Sequence, residues 1–332
     1  MRTVPSGVDT TTRTKHSEDR AKRAPRRAVR FCRLISAAVF LLSSAVFAAP
    51  SYAAAVRLLA VVSGGGEFAG RLKEPSGLFF DETKKRLYIA DSGSKRIVST
   101  DADFKYLAEL TSKEIELPIA VVKNSSGQFL SVDAGRGEML LIEAKKDVQI
   151  DPFKLKGGEA GRDIFVPGRI AIDRQDRVYV IDRLNRRILV ADAGGAVLRS
   201  ISVKDEGFYG FNDVRVDDDG NVYALDTLGA KVYIFDNSGN LKMKFNGKDS
   251  AGNALFKFPL SLAVSRDFIY VADAHAGTLF VFDKTGVLHH RIGRKGEREG
   301  EFSHPTYLFV DASERIFVID GNRVQVFKEE KE

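Results

Sequence analysis

The sequence predicts an all-β fold: a six-bladed β-propeller closed by an N-terminal strand that completes the last blade. Three observations predict it. Six short apolar strands end in aspartate, at Asp91, Asp133, Asp182, Asp226, Asp273 and Asp320, and successive aspartates lie 42, 49, 44, 47 and 47 residues apart. A period in the forties, carried by β-branched and aromatic residues, is how a repeated four-stranded sheet reads in sequence. Five of the aspartates follow a proline (Pro75, Pro118, Pro167, Pro259, Pro305) by 14 to 16 residues, and Phe211 takes that place in the fourth repeat. No stretch after residue 53 sustains helical periodicity.

Before the repeats lies a different composition. Residues 1–33 are polar and basic, and Leu34 to Ala49 is a run of sixteen residues without a charge, followed by Ser51 and Ala53 as a small-residue pair. This is the pattern of a secretory signal peptide cleaved after Ala53, with Ala55 as the fallback position. Sixteen residues fall short of the roughly 20 that a membrane-spanning helix needs. Val29, read as an alternative start to Met1, would give a leader of ordinary length. The Arg26-Arg27 pair is a weak twin-arginine signal, because Arg30 sits where an apolar residue belongs. The expected location is periplasmic or secreted, with no membrane span after cleavage. The expected domains are residues 1–53, a basic extension and signal peptide, and 54–332, the propeller.

Removing residues 1–53 takes away 10 of 51 Lys and Arg and 3 of 45 Asp and Glu, which leaves a net charge of about −1. Nucleic-acid binding needs a basic domain, so a nucleic-acid partner is not expected. The only cysteine, Cys32, lies in the leader, ahead of its apolar run. After cleavage no disulfide and no thiol nucleophile remain.

Within each repeat the elements follow in order. After the proline comes an inner strand, such as Gly77 to Asp81, Arg169 to Asp173 or Asp213 to Asp217. A polar turn leads to the aspartate-ended strand, and a third strand follows, such as Arg187 to Val190 or Lys231 to Phe235. A turn such as Asn237-Ser238-Gly239-Asn240 suits a hairpin, because glycine admits positive φ. The outer strand closes the blade, as in Asn240 to Phe245. The predicted blades are 71–110, 116–153, 165–203, 208–245, 257–292 and 303–328. The last has only three strands, so Val56 to Val62 is assigned as its fourth, which removes an open sheet edge. A monomeric ring is expected.

The six aspartates are read as turn caps rather than a cation-binding ring, since a binding site breaks symmetry. Arg96, Arg187 and Arg323 are read as their local partners. The glycine-rich segments 64–70, 157–161 and 293–300 are read as crossings between blades, because a phosphate cradle would have to open a helix. Candidate binding residues are sought where the repeat fails. The two positions after the proline are mostly small or apolar, and Arg169, Asn212, Asp213 and Tyr307 depart from that rule. Arg169 and Asp213 are expected to come together at the channel mouth, as a seal or as a patch for a polar ligand. Arg183 and His275, on turns of the same end, are added to them. No catalytic or metal-binding residue is assigned.

The segments Ile269-Tyr270-Val271-Ala272-Asp273 with Leu279-Phe280-Val281-Phe282-Asp283, and Asn221-Val222-Tyr223 with Val232-Tyr233-Ile234-Phe235-Asp236, resemble the repeat of NHL propellers. The resemblance covers the chain after the leader and implies a bacterial, secreted propeller of NHL type. Such a fold hosts binding proteins and several enzymes. Amidating lyases of this superfamily hold zinc with three histidines from different blades. After the leader this chain has only His275, His289, His290 and His304, all in the last two repeats. His289 and His290, on an outer strand, are expected to face solvent. Gluconolactonase-like propellers bind calcium through a Glu ahead of the first inner strand plus Asn and Asp from other blades. Ser76 occupies that place here, Glu74 is two positions out, and Asn212 and Asp213 alone do not make a calcium shell. The expectation is a non-catalytic scaffold without cofactor that binds a protein or an envelope component. A divalent-metal-dependent hydrolase or lactonase, with calcium as its ion, is the alternative.

Overall fold

Six antiparallel four-stranded sheets are arranged around a central axis in the computed structural model, which describes residues 56–64, 70–157 and 164–330. The first blade runs β2 (Pro75–Asp81), β3 (Arg86–Asp91), β4 (Arg96–Thr100) and β5 (Tyr106–Thr111). The second is β6 (Pro118–Lys123), β7 (Phe129–Asp133), β8 (Glu138–Ala144) and β9 (Val148–Pro152), and the third β10 (Pro167–Ile172), β11 (Val178–Asp182), β12 (Arg187–Ala191) and β13 (Val197–Ile201). The fourth comprises β14 (Asp213–Val216), β15 (Val222–Asp226), β16 (Lys231–Phe235) and β17 (Leu241–Phe245). The fifth comprises β18 (Pro259–Val264), β19 (Phe268–Asp273), β20 (Thr278–Asp283) and β21 (Leu288–Ile292). In the sixth, β22 (Pro305–Val310), β23 (Arg315–Asp320) and β24 (Arg323–Glu329) are completed by β1 (Val56–Val62), which pairs antiparallel with β24. The chain is a six-bladed β-propeller closed by its N-terminal strand.

Inner strands β2, β6, β10, β14, β18 and β22 touch in that order, and β22 meets β2. They approach so closely that a Cβ on Gly77 would lie 2.9 Å from the Cα of Ala120 and the carbonyl oxygen of Ile119. The middle strands are buried on both faces, which explains their unbroken apolar runs. VYVID (Val178–Asp182) and VYALD (Val222–Asp226) are buried at every residue. Their side chains fill the clefts between neighbouring blades, as where Tyr179, Val190, Val214 and Tyr233 share one cluster.

The six repeated aspartates are caps. All are at most 2% exposed. Asp273 accepts the amides of Lys257 and Phe258 from the incoming crossing, and those of His275 and Ala276 from its own turn. Asp133 does the same for Glu116, Leu117 and Arg136. Asp91, Asp182 and Asp320 each also hold the arginine that opens the next strand, Arg96, Arg187 and Arg323. Asp133, Asp226 and Asp273 therefore tie the crossing between two blades to the turn after the second strand, which satisfies backbone donors that would otherwise be buried unpaired. These crossings and turns form one end of the ring, hereafter the proline face. The opposite end, the hairpin face, carries the remaining turns, where Asp192, Asp236 and Asp283 accept the amides two and four residues on.

Among the described residues, no helix follows the crossing at 293–300, which instead forms a bridge between Lys295 and Phe302. The other two glycine-rich segments fall partly outside the described residues, as does the whole predicted leader. No described helix is long and apolar enough to cross a membrane.

The crossing into the fourth blade has its own anchor. Asp205 accepts hydrogen bonds from Lys244 Nζ at 2.8 Å and the Tyr233 hydroxyl at 3.0 Å, with Lys231 Nζ at 3.4 Å. Lys244 and then Tyr233 hold its carboxyl down at about 2. A folded-state value below the unfolded one adds stability that is present above about pH 4 and lost as the pH falls towards 2. Asp205→Asn is expected to lower the unfolding midpoint at neutral pH, to flatten its fall between about pH 4 and 2, and to meet the parent chain near pH 2. Thermal unfolding across pH 2–7 reads this directly.

Candidate functional site

Counted from the proline position, which Phe211 takes in the fourth repeat, the third and fifth residues of each inner segment face the channel region. The third positions are Gly77, Ala120, Arg169, Asp213, Ser261 and Tyr307, and the fifth are Phe79, Val122, Ala171, Arg215, Ala263 and Phe309. Five inner strands together build a cross-channel network near the proline face. Asp213 is fully buried at its centre. Its Oδ2 accepts from Ser261 Oγ at 2.6 Å and Leu262 N at 2.9 Å, with Arg169 Nη1 at 3.0 Å. Its Oδ1 accepts from Val214 N at 2.9 Å and Arg215 Nη1 at 2.6 Å.

The two arginines reach across to other blades. Arg169 donates to the Leu260 carbonyl at 3.1 Å and the Thr306 carbonyl at 2.7 Å, and Arg215 donates to the Leu308 carbonyl at 2.8 Å. Both guanidiniums lie over the Tyr307 ring, with Cζ 4.6 and 4.9 Å from its centroid. A cation over a desolvated ring adds to the ion pairs. Ser261 Oγ accepts from Leu308 N at 3.0 Å, and the Tyr307 hydroxyl points at the Leu78 carbonyl at 3.4 Å. Burial works against the Arg215 charge, and Asp213 more than offsets it, so its pKa lies above the ordinary arginine value. One carboxylate thus neutralises part of two guanidiniums while inner-strand carbonyls take up further donors, and Arg215 Nε stays buried without a hydrogen-bond partner.

Arg169, Asp213 and Tyr307 therefore meet, and Asn212 joins them at the rim by donating to the Leu260 carbonyl at 3.1 Å. Arg183 and His275 do not enter the network. Both are exposed on turns of the proline face, where His275 stacks on Phe258 with centroids 4.7 Å apart. Sequence reasoning missed Arg215 and Ser261. Arg215 stands where the other repeats hold Phe, Val or Ala, so comparing one further inward position would have found it. Ser261 satisfies the small-residue rule and gives no such signal.

Beyond Arg215 and Tyr307 the channel widens into an apolar cavity of about 140 Å³, lined by Phe79, Val122, Ala171 and Phe309 among others. The histidine expectation needs correction for one residue. His289 is exposed, but His290 is 6% exposed, with Nε2 3.3 Å from Glu329 Oε2. The outer strand β21 packs against β24 of the next blade at this point, so its alternate side chains are covered.

Six large apolar side chains are exposed together on the proline face: Leu117, Ile164, Val166, Leu184, Tyr209 and Leu228. They belong to consecutive crossings and turns of the second, third and fourth blades, and local contacts tie crossing to turn within the third and fourth blades. The Val166 carbonyl accepts from Arg183 N at 2.9 Å, Asn185 Nδ2 donates to the Ile164 carbonyl at 2.9 Å, and Tyr209 N donates to Asp226 at 3.0 Å. Arg183 and Arg186 flank Leu184 on the same turn. Six other large apolar side chains are exposed elsewhere (Leu59, Leu107, Val148, Leu198, Leu241 and Val287), and they are scattered one to a blade on outer strands and a hairpin. Single exposed apolar residues are ordinary, whereas a cluster marks an interaction surface.

A family model described as a 6-bladed beta-propeller matches residues 251–328. No curated protein matches the chain. Among solved structures, virginiamycin B lyase from Staphylococcus aureus is similar at a TM-score of 0.62 and 10% identity, covering 83% of this chain and 100% of that one. A gluconolactonase from Xanthomonas campestris is similar at 0.58 and 14% identity, covering 77% and 86%. The β-propeller domain of Cps50 (Swd1) from Myceliophteria thermophila is similar at 0.56 and 13% identity, covering 76% and 82%. At these identities the likeness is one of fold, which a lyase and a gluconolactonase share.

Proposed function

We propose that this chain is an extracytoplasmic propeller of NHL type that binds a protein or cell-envelope partner through its proline face and catalyses no reaction. The observation that carries the reading is the apolar cluster from Leu117 to Leu228 on one end of a stiff ring. Binding residues on loops held by a rigid scaffold lose little freedom on association. Arg183 and Arg186 beside Leu184 favour a partner surface that offers apolar side chains next to carboxylates. The basic, apolar leader supports export from the cytoplasm.

The channel mouth supports the same reading. Both Asp213 oxygens are committed to protein donors, and the Asn212 amide is turned to a backbone carbonyl. A calcium-dependent lactonase needs such oxygens free to face a cation. The residues present do not fit that ion, and no reaction step is derived through it.

The double substitution Leu184→Glu with Leu228→Glu is expected to weaken partner capture roughly 100-fold, since loss of central apolar contacts costs about 1–2 kcal/mol each. Both residues are exposed, so the folding stability should change by about 0.5 kcal/mol or less. Quantitative pull-down from the native extract, alongside thermal unfolding, reads both effects. Undiminished capture by a folded variant would refute the assignment of this face.

A further inference from the structure

On the hairpin face, a groove of about 350 Å³ opens between the fourth and fifth blades. Lys284, in the turn after β20, reaches across it to the fourth blade. Its Nζ lies 4.7 Å from the Tyr223 ring centroid and donates to the Tyr223 hydroxyl oxygen at 3.3 Å. That hydroxyl donates in turn to Asp217 Oδ2 at 2.9 Å. The other Asp217 oxygen caps the amides of Asp219 and Asn221. The groups that touch the Lys284 amine are thus a neutral ring and a neutral hydroxyl. Burial raises the Tyr223 phenol above its ordinary range, so it supplies no anion. Burial also brings Lys284 down to about 8, although Asp217, Asp267 and Asp219 pull the other way. A desolvated lysine of this kind is the usual form of an amine nucleophile. Lys242 and Arg266 line the same groove, and Lys242 Nζ is held on Asn221 Oδ1 at 3.1 Å.

We propose that Lys284 is a covalent capture site for small anionic aldehydes. The amine lone pair attacks the carbonyl carbon to give a carbinolamine. Loss of water then leaves a C=N bond, and the two amine protons depart with the carbonyl oxygen. Lys242 and Arg266, which share the groove with Asp217 and Asp219, are the cations that recruit the anionic end of the aldehyde. This site is independent of the binding face on the opposite end of the ring.

Pyridoxal 5′-phosphate, trapped by borohydride and mapped by peptide mass spectrometry on the full chain, tests the proposal between pH 6 and 10.5. Lys284 is expected to be labelled roughly tenfold faster than exposed lysines at pH 8, with a rate midpoint near pH 8. Lys284→Arg should remove that adduct alone, with the fold checked by circular dichroism. Lys242→Gln with Arg266→Gln should slow labelling by the phosphate probe several-fold and leave labelling by unphosphorylated pyridoxal unchanged. Labelling spread evenly over surface lysines, or a Lys284 midpoint near that of free lysine, would overturn the proposal. Equal rates for both probes on the unmodified protein would overturn its anionic part.

Discussion

Deletion of residues 54–62 is expected to abolish cooperative unfolding, or to lower the midpoint by more than 10 °C. Strand β1 pairs with β24 from Val56↔Glu329 to Val62↔Val324, with a bulge between Leu58 and Ala60. Val62 is 3% exposed and joins Leu72, Leu78, Val324 and Val326 in the core between the sixth and first blades. Val56 and Leu58 pack on the opposite side against the fifth and sixth blades. Burying one such side chain contributes about 1.5–3 kcal/mol. The strand as a whole therefore contributes on the order of 5 kcal/mol, comparable to the entire stability of many domains. Its removal also bares the β24 edge, which favours association through that edge. Calorimetry with light scattering on the truncated chain measures both. An unchanged midpoint would disprove the closure.

Asp213→Asn is the second large effect. The substitution keeps the shape and removes the one charge that faces both Arg169 and Arg215. Removing one partner of a buried ion pair costs about 3–5 kcal/mol, because the remaining charge stays uncompensated. For a domain of this size that lowers the unfolding midpoint by roughly 8–15 °C. Tyr307→Phe keeps the ring under both guanidiniums and removes a hydroxyl that meets the Leu78 carbonyl at 3.4 Å and also interacts with Arg215, so it should cost about 1 kcal/mol. Equal effects of the two substitutions would show that the network does not depend on the charge of Asp213.

What the sequence made legible follows from its periodicity. Strands repeated in register place Asp91 and its five counterparts at equivalent turns, and a residue that departs from the register, such as Arg169 or Asp213, stands out. The Arg169–Asp213 contact could be anticipated because both occupy third positions of neighbouring inner strands. Arg215 was hidden because its strand, Asp213–Val216, reads as ordinary alternation, although that position lies inside the ring. His290 was hidden for a different reason. Exposure of an outer strand depends on whether the next blade covers it, which alternation within one blade does not report. The apolar cluster was the least legible feature. Leu117, Leu184 and Leu228 sit singly in polar turns far apart in sequence, and only closure of the ring assembles them.

The proline face as the binding surface is tested most directly by site-specific photo-crosslinking in the organism that makes the protein. A photoreactive phenylalanine derivative at Leu184 or Leu228 samples the apolar cluster, and one at Ser238, in an exposed turn of the hairpin face, serves as the comparison. The account predicts a discrete partner adduct from positions 184 and 228 and none from 238. An adduct from 238 with none from 184 or 228 would contradict it.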